Sequence, residues 1–116
     1  MFIHSASDKL VFNILNRINF GYLEITSFNG HTLKFGNPED NLKANLIIKK
    51  PNFTYNLIRG GSIGFAECYM RGEFETNNLS NLIELTARNI KVIYKFSGLL
   101  DFPIMNFVKN KIIKNT

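Results

Sequence analysis

The stretch at residues 59–89 constrains the fold more than any other, because its periodicity changes repeatedly within about thirty residues. The Gly60-Gly61 pair predicts the end of one helix, and the apolar spacing that follows predicts a second helix. Gly72 is placed to end that second helix with a positive φ. A short alternating strand at residues 73–76 comes next, before another helix begins. So many specified breaks indicate a tightly packed helix–strand–helix unit rather than a linker.

The residues before that stretch predict one helix followed by strands. An apolar stripe with polar residues opposite it indicates the helix, and Asn29-Gly30 is a strong hairpin signal in which both residues take positive φ. Short alternating runs flank this turn, and a third run follows Pro38. We expect a helix at residues 8–20 and strands at residues 22–27, 31–35 and 42–49.

The residues after Leu79 have the clearest helical pattern in the chain. Apolar side chains recur at three- and four-residue steps from Leu79 to Phe96, and Gly98 ends the pattern. A last amphipathic helix is predicted over residues 104–114. Together these elements predict an α+β fold, with a small, mostly antiparallel sheet of about four strands flanked by helices. We expect one domain at residues 1–100 and a basic amphipathic tail or linker helix at residues 101–116.

Length and composition set broad limits on the class of protein. A chain of 116 residues with 45% hydrophobic and 20% charged residues is expected to form one ordinary globular domain. No apolar run approaches the eighteen or so residues of a spanning helix, and the N-terminus lacks the features of a signal peptide. We therefore expect a cytoplasmic protein. Cys68 is the one cysteine, which excludes an internal disulfide and a multi-thiolate metal site, and its apolar helical setting predicts burial.

The positive charge is concentrated in the last quarter of the chain. Residues 1–87 contain eight basic and eight acidic side chains, whereas residues 88–116 hold six basic side chains against Asp101 alone. Basic charge on an amphipathic helix is typical of a membrane-surface segment or of a docking surface for a protein partner. Nucleic acid is disfavoured as a partner, because arginine is scarce and no recognition motif occurs.

The residue types needed for catalysis are present but do not form a convincing set. Three carboxylates lie near the centre of the chain, and Glu73 and Glu75 are expected to project outward from one strand face beside an inward Phe74. No nucleophile accompanies them, and neither histidine lies near Cys68 in a predicted element. We expect a chain that is not an enzyme by itself and that holds no metal. The carboxylates are those of Glu67, Glu73 and Glu75.

The central stretch resembles the N-terminal domain of the cyclopropane-fatty-acyl-phospholipid synthase family, whose members use S-adenosylmethionine to methylate unsaturated acyl chains of membrane lipids. The family pattern reads Gly-Ser/Asp-x-Gly-x-x-Glu-Ala-Tyr-Met-x-Gly-Glu-Trp, followed by a leucine-rich helix and Ala-Arg-Asn. The departures are mild, since Cys68 replaces the usual Ala and Phe74 the usual Trp. The matching run here is Gly61-Ser62-Ile63-Gly64-Phe65-Ala66-Glu67-Cys68-Tyr69-Met70-Arg71-Gly72-Glu73-Phe74, then residues 79–85 and Ala87-Arg88-Asn89.

The resemblance covers about residues 15–95 and implies an accessory domain without its methyltransferase. No strand followed by a glycine-rich turn for the methyl donor occurs, so S-adenosylmethionine would bind a catalytic domain absent from this chain. The order of elements is also similar to that of sterol-carrier-type lipid-binding domains. The residues that carry the family signature, with an expected structural role, are Gly61, Glu67, Tyr69, Met70, Gly72, Glu73, Phe74, Arg88 and Asn89.

The resemblance and the basic C-terminal quarter together predict a lipid-facing domain that is peripheral on the inner membrane face. Its expected partners are an anionic phospholipid membrane or acyl chains, a methyltransferase domain in the same or another chain, and a second copy in a homodimer. Packing in the core of a small domain is the favoured explanation of the apolar residues, whereas the resemblance to lipid carriers implies that some of them line an acyl-chain groove. The residues considered are Phe65, Tyr69, Met70, Phe74, Leu82, Ile83, Ile90, Ile93 and Phe96. The predicted lipid or membrane contacts are Lys91, Lys95, Phe102, Met105, Phe107, Lys109, Lys111 and Lys114.

Two alternatives remain open from the sequence. The basic helical tail could dock a separate methyltransferase or mediate dimerisation without meeting lipid. The chain could also be a small stand-alone lipid carrier. Salt-independent complex formation without lipid would favour the first of these, and co-purified fatty acid would favour the second.

Overall fold

The computed structural model describes residues 6–97, which form eight elements in an α+β arrangement. Three consecutive strands follow the first helix, the fourth strand lies between α2 and α3, and α2, with 18 residues, is the longest described helix. In chain order the elements are α1 (Ala6–Leu15), β1 (Tyr22–Thr26), β2 (Thr32–Gly36), β3 (Lys43–Ile48), α2 (Phe53–Met70), β4 (Phe74–Glu75), α3 (Leu79–Arg88) and α4 (Ile90–Ser97).

The four strands form one mixed sheet in the order β2-β1-β3-β4. β1 and β2 are an antiparallel hairpin, and β4 pairs antiparallel with β3. β3 lies on the other side of β1 and runs parallel to it, so the chain crosses over between β2 and β3. The predicted α+β class with a small, mostly antiparallel sheet is therefore confirmed, with one parallel pair at its centre.

One face of the sheet is apolar and carries the core. Leu23 pairs with Phe35 on one side and Ala44 on the other, while Ile25 pairs with Leu33 and Leu46. Because residues directly opposite one another share a face, these side chains form two continuous rows across three strands. Phe12 and Ile18, together with residues from α2 and α3, pack on those rows in a single cluster. The helices thus cover one face of the sheet and form a second layer.

The helix predicted to stop at the Gly60-Gly61 pair instead continues as α2 from Phe53 to Met70. The prediction of two helices was wrong, but α2 bends sharply. A Cβ atom added to Gly64 would lie 2.9 Å from the backbone oxygen of Asn56. Residues eight apart in a straight helix are separated by about 12 Å, so the two halves of α2 must fold toward each other. The bend lies between Asn56 and Gly64, in the stretch that contains the glycine pair, and the helix continues through it.

The hairpin turn follows the sequence signal with one difference. Gly30 has φ +90°, as predicted, whereas no residue other than glycine has a positive φ in the described part of the chain. The backbone N–H of Gly30 donates to the oxygen of Ser27, and the N–H of Ser27 donates to His31. Asn29 therefore lies inside an ordinary turn, and Gly30 alone takes the left-handed position of a longer hairpin loop.

The helix predicted to run from Leu79 to Phe96 is interrupted at Asn89. Its side chain is 1% exposed and makes four hydrogen bonds. The Oδ1 atom accepts the backbone N–H groups of Asn19 (2.8 Å) and Phe20 (3.1 Å). The Nδ2 atom donates to the backbone oxygens of Phe20 (2.9 Å) and Leu85 (2.8 Å). The periodicity of α3 and α4 is continuous, but this tertiary contact turns the chain between them.

We predict that Asn89→Ala lowers the free energy of unfolding by about 3 kcal/mol, because four backbone groups lose their hydrogen bonds to the Asn89 amide together. Urea unfolding followed by circular dichroism measures the change. Asn13→Ala, at an exposed position in α1, is the matched control and should change the free energy by less than about 0.5 kcal/mol. A loss below about 1 kcal/mol at Asn89 would show that these bonds are not a major constraint.

Candidate functional site

A large apolar cavity lies between the inner face of the sheet and all four helices. Its volume is about 470 Å³. That size is within the range of about 300–1,000 Å³ that is usual for small-molecule sites. Every helix contributes side chains at helical spacing, and the sheet provides its floor. The floor is formed by Leu23, Ile25 and Leu46, and the helical walls include Ile14 and Leu15 of α1, Leu57 and Phe65 of α2, Leu82 and Ile83 of α3, and Ile90 and Ile93 of α4.

Polar atoms are scarce in the cavity wall. Among the described residues that line it, none is charged. The Thr86 hydroxyl donates to the backbone oxygen of Leu82 (2.9 Å), and the amide of Asn89 makes the four bonds given above. The Tyr94 side chain is 2% exposed, and its hydroxyl has no hydrogen-bond partner among the described residues. The Tyr94 hydroxyl oxygen has essentially no accessible surface, so the hydroxyl does not face the cavity although the residue lines it.

Part of the cavity wall is open to solvent. Met70 is 76% exposed, Ile83 50% and Tyr69 42%, although all three also line the cavity. Large apolar side chains placed both at a cavity and at the surface are typical of an entrance or of a docking surface. The exposed residues belong to the end of α2 and the middle of α3.

The end of α2 is held by aromatic packing on β4. The ring of Phe74 lies 5.1 Å from that of Phe65, 5.2 Å from Phe53 and 5.6 Å from Tyr69. Phe53 and Tyr69 are sixteen residues apart in α2, and the bend of that helix is what allows both to reach one ring. The aromatic cluster fixes the part of α2 that contributes Phe65 and Tyr69 to the cavity.

Glu73 is buried beside this cluster rather than exposed, so its predicted outward position was wrong. Its Oε2 atom accepts from Nε of Arg71 (2.6 Å), and its Oε1 atom accepts from Nδ2 of Asn56 (2.9 Å). Burial opposes ionisation, but the hydrogen bonds from Asn56 and Arg71 outweigh it and hold the pKa of Glu73 below its ordinary value. The charge is stabilised by these partners, which the alternation of residues 73–76 did not reveal. Glu75, by contrast, is exposed as predicted.

Cys68 is fully buried in α2, as its apolar setting predicted. Burial and the neighbouring Glu73 carboxylate raise the pKa of its thiol to about 11, against a smaller lowering effect of Arg71. A thiol with that pKa is almost entirely protonated at neutral pH and is a poor nucleophile. No set of acidic, histidine and cysteine side chains that could hold a metal occurs among the described residues.

The residues of the family signature lie in three kinds of place: the cavity wall, the interior and the surface. Tyr69 and Met70 line the cavity, while Phe74 and Asn89 lie in the interior. Gly72 has φ +72°, which confirms the predicted conformation after the helix. Gly61 lies inside α2, Glu67 is exposed, and Arg88 is an exposed partner of Glu84 with Nη2 to Oε2 at 2.7 Å.

Only two of the predicted membrane contacts lie in the described part of the chain. Lys91 and Lys95 are exposed on α4, the helix that gives Ile90, Ile93 and Tyr94 to the cavity wall. The remaining predicted contacts lie outside residues 6–97; they are Phe102, Met105, Phe107, Lys109, Lys111 and Lys114. Within the described residues no helix is both long enough and apolar enough to cross a bilayer.

The apolar residues considered for a groove from the sequence include seven that line the cavity, all in the second half of the chain, and the other wall residues were missed. The apolar residues of α1 were assigned only to a helix stripe, and Tyr94 was not singled out. Tyr94 follows Ile90 by four residues, so helical spacing places the two on the same face. A second, smaller cavity of about 220 Å³ lies near Asp8, Phe12 and Ile48, at the hairpin end of the fold.

Comparisons of this chain with models of protein families, with curated proteins and with solved structures find no match.

We predict that acid destabilises the fold in part through Glu73. Its pKa is lower when folded than when unfolded, so its contribution to stability is complete above the ordinary value of 4.5. That contribution is lost as the pH falls below 4.5 and through the lower folded-state pKa. Thermal unfolding at several pH values should show a shallower acid decline for Glu73→Gln than for the wild type.

The matched control for that measurement is Glu75→Gln, because Glu75 lies two residues after Glu73 and is exposed. At pH 7 Glu73→Gln should cost about 1–2 kcal/mol, because bonds to an ionised acceptor are replaced by weaker ones. Parallel acid profiles for the wild type and Glu73→Gln would contradict the assignment.

Proposed function

We propose that this chain is a non-catalytic lipid-binding domain that holds an acyl chain in the apolar cavity between the sheet and the helices. The single observation that carries the proposal is the wall of that cavity. It is large, it is reached past exposed apolar side chains, and none of its described lining residues is charged. A flexible hydrocarbon chain is the common biological ligand that such a wall accommodates without leaving polar groups of the ligand unpaired.

The hydrophobic effect gives a scale for this binding. Each methylene transferred from water to an apolar site contributes about 0.8 kcal/mol, so ten buried methylenes contribute about 8 kcal/mol before the ligand's loss of freedom is subtracted. An empty cavity of the same size would instead weaken the fold, because its lining atoms lack packing partners. Binding of an acyl chain would therefore remove its methylenes from water and give the cavity lining the packing partners that it lacks when empty.

The membrane is the source of acyl chains that best suits the surface of α4. Lys91 and Lys95 are exposed on the helix whose other face lines the cavity, and most of the remaining excess positive charge follows in sequence. Lysines near an anionic bilayer contribute about 1 kcal/mol each. We propose that this face contacts anionic phospholipid while the cavity takes up part of an acyl chain.

The resemblance of residues 61–74 to the cyclopropane-fatty-acyl-phospholipid synthase family supports a role beside a methyltransferase. On this proposal the chain presents lipid to a separate catalytic domain, which would bind S-adenosylmethionine. The exposed Met70, Tyr69 and Ile83 also suit a protein contact, which is the alternative of a docking or dimerisation module. A stand-alone lipid carrier would use the same cavity without either partner.

We predict that Ile83→Glu weakens the binding of a fluorescent polyene fatty-acid methyl ester by about tenfold or more, because it places a charge in the apolar wall. Ile63→Glu is the matched control. Both isoleucines are about half exposed on helices, at 43% for Ile63 and 50% for Ile83, but only Ile83 lines the cavity. Fluorescence titration of the purified chain gives both dissociation constants. Equal loss in the two variants, or no binding to the wild type, would overturn the proposal.

We further predict that the purified chain floats with anionic phosphatidylglycerol vesicles at low salt and not with neutral phosphatidylcholine vesicles. A Lys91→Gln/Lys95→Gln double variant should lose about 2 kcal/mol of partitioning, or about thirtyfold, and high salt should have the same effect. Adding Lys109→Gln, Lys111→Gln and Lys114→Gln should remove flotation.

The matched control for flotation is Lys49→Gln/Lys50→Gln, which removes two exposed charges between β3 and α2. It should float nearly as the wild type does. If the five-lysine variant floats unchanged, the basic face does not bind membrane. Complex formation with a methyltransferase domain in the absence of lipid would then favour the docking module.

A further inference from the structure

The opening of the large cavity is an apolar surface that the described residues leave uncovered. Tyr69, Met70 and Ile83 line the cavity and are also exposed, and we call the surface that they form the mouth. Contact of water with large apolar side chains is unfavourable, so an exposed apolar patch on a native protein commonly marks a binding surface. The mouth is therefore a docking surface, and its occupant must present apolar groups.

The end of α4 lies close to this mouth. Ile83 precedes Asn89 by six residues in α3, and Ser97 follows Asn89 by eight residues in α4. At the helical rise these segments measure about 9 Å and about 12 Å, so Ser97 lies within roughly 21 Å of Ile83 at any angle between the helices. Residues 98–103 span about 20 Å when extended. The residues that follow them in sequence are therefore within reach of the mouth.

The segment within reach has the pattern of an amphipathic helix. Residues 104–114 lie outside the described part of the chain, and their sequence predicts a helix with Ile104, Val108 and Ile112 in one stripe at four-residue steps. Eight residues of helix extend about 12 Å, so the stripe is long enough to cover several apolar side chains. Lys109 and Lys114 lie to either side of it at helical spacing.

The charged residues beside the mouth favour a basic occupant. Glu67 precedes Met70 by three residues in α2, Glu84 directly follows Ile83, and both carboxylates are exposed. A second copy that presented its own mouth would bring like charges together, whereas a segment that carries lysines brings opposite charges together. The nearby arginines are each paired with a glutamate, so Glu67 gives this border a negative excess; the pairs are Arg71 with Glu73 and Arg88 with Glu84.

We propose that residues 104–114 dock on the mouth and close the cavity in the lipid-free chain, and that they leave it when their lysines bind an anionic bilayer. A segment on a short connection is present at its site at an effective concentration of the order of millimolar, so a weak contact is enough to populate the closed form. One amphipathic helix cannot pack on the mouth and lie in a bilayer at the same time, so anionic lipid shifts the population toward the open form. Docking rests on the mouth alone, whereas release rests on the proposed lipid-binding function.

A spin label beside the mouth tests docking in the full chain. The label is a nitroxide on Met70→Cys in a Cys68→Ala background, and NMR measures the loss of amide signal that the nitroxide causes in nearby residues. We expect the signals of residues 104–112 to lose most of their intensity without lipid. Phosphatidylglycerol bicelles should restore these intensities, and neutral phosphatidylcholine bicelles should not.

Two further label positions make this measurement specific. A nitroxide on Ile83→Cys, in the other helix of the mouth, should act as the one at position 70 does. Lys34→Cys is the matched control, because Lys34 is exposed on β2 and alternates with the core residues Leu33 and Phe35. Its label should leave residues 104–112 unaffected. Equal losses from Lys34→Cys, or no loss from either mouth position, would overturn docking.

A mixing experiment distinguishes docking within one chain from docking on a second copy. Isotope-enriched chains without a nitroxide are mixed with nitroxide-labelled chains that are not enriched. Docking within one chain leaves the enriched signals at full intensity. Loss of the signals of residues 104–112 in the mixture would show that the segment occupies the mouth of another copy, and would overturn the proposal.

Probe binding tests whether docking closes the cavity. Val108→Glu places a charge in the apolar stripe, and Asn110→Glu places the same charge on the polar side of the predicted helix. Because a closed mouth lowers the apparent affinity by the fraction of chains that are open, Val108→Glu should bind a fluorescent polyene fatty-acid methyl ester at least about threefold more tightly than the wild type. Asn110→Glu should bind it within about twofold of the wild type.

The results separate this inference from the lipid-binding function. Equal ester binding by the wild type, Val108→Glu and Asn110→Glu would overturn closure of the cavity. Signals that stay weak with phosphatidylglycerol bicelles would overturn release by the membrane. If no chain binds the ester while the labels at the mouth report docking, the lipid-binding function fails and the docking of residues 104–114 stands.

Discussion

The amide of Asn89 is the contact on which the arrangement of the helices depends. It joins the start of α4 and the end of α3 to the connection between α1 and β1, through backbone groups at residues 19, 20 and 85. Each of these segments borders the cavity or leads into an element that does. Since the amide has no spare donor or acceptor, it fixes the corner without leaving an unpaired polar group in the cavity wall. The cavity can have a fixed shape and an apolar wall because the buried Asn89 amide forms hydrogen bonds with the backbone groups at this corner.

The sheet supports the core and the cavity with the same side chains. Leu23, Ile25 and Leu46 belong to the hydrophobic cluster and also form the floor of the cavity. The bend of α2 determines which of its side chains pack beside β4. It brings the rings of both Phe53 (5.2 Å) and Tyr69 (5.6 Å) against that of Phe74, so the two ends of α2 pack on one aromatic side chain of β4. A straight α2 could not make both contacts.

The sequence was sufficient for features set by local periodicity and insufficient for those set by tertiary contacts. Alternation at residues 22–27 and 42–49 predicted the ends of β1 and β3 to within about one residue. The position of Gly72 after a helical pattern predicted its positive φ. The Gly60-Gly61 pair was interpreted as a stop, because a glycine that bends a helix and one that ends it look alike in sequence. Glu73 alternates like an exposed residue, yet Asn56, seventeen positions earlier, makes its burial tolerable. The cavity arises from packing between four helices, and no single periodic pattern encodes a space left empty.

The burial of Cys68 has a consequence for how the dynamics of this domain can be followed. Its thiol is fully buried on α2 and accepts a contact from Nη2 of Arg71 at 3.8 Å, so a thiol-directed reagent reaches it only when that region opens. Because the chain contains no other cysteine, the rate of labelling reports the opening of α2 away from β4 without an introduced probe. If labelling is slower when a ligand is present, the ratio of the two labelling rates gives the free energy by which the ligand opposes this local opening.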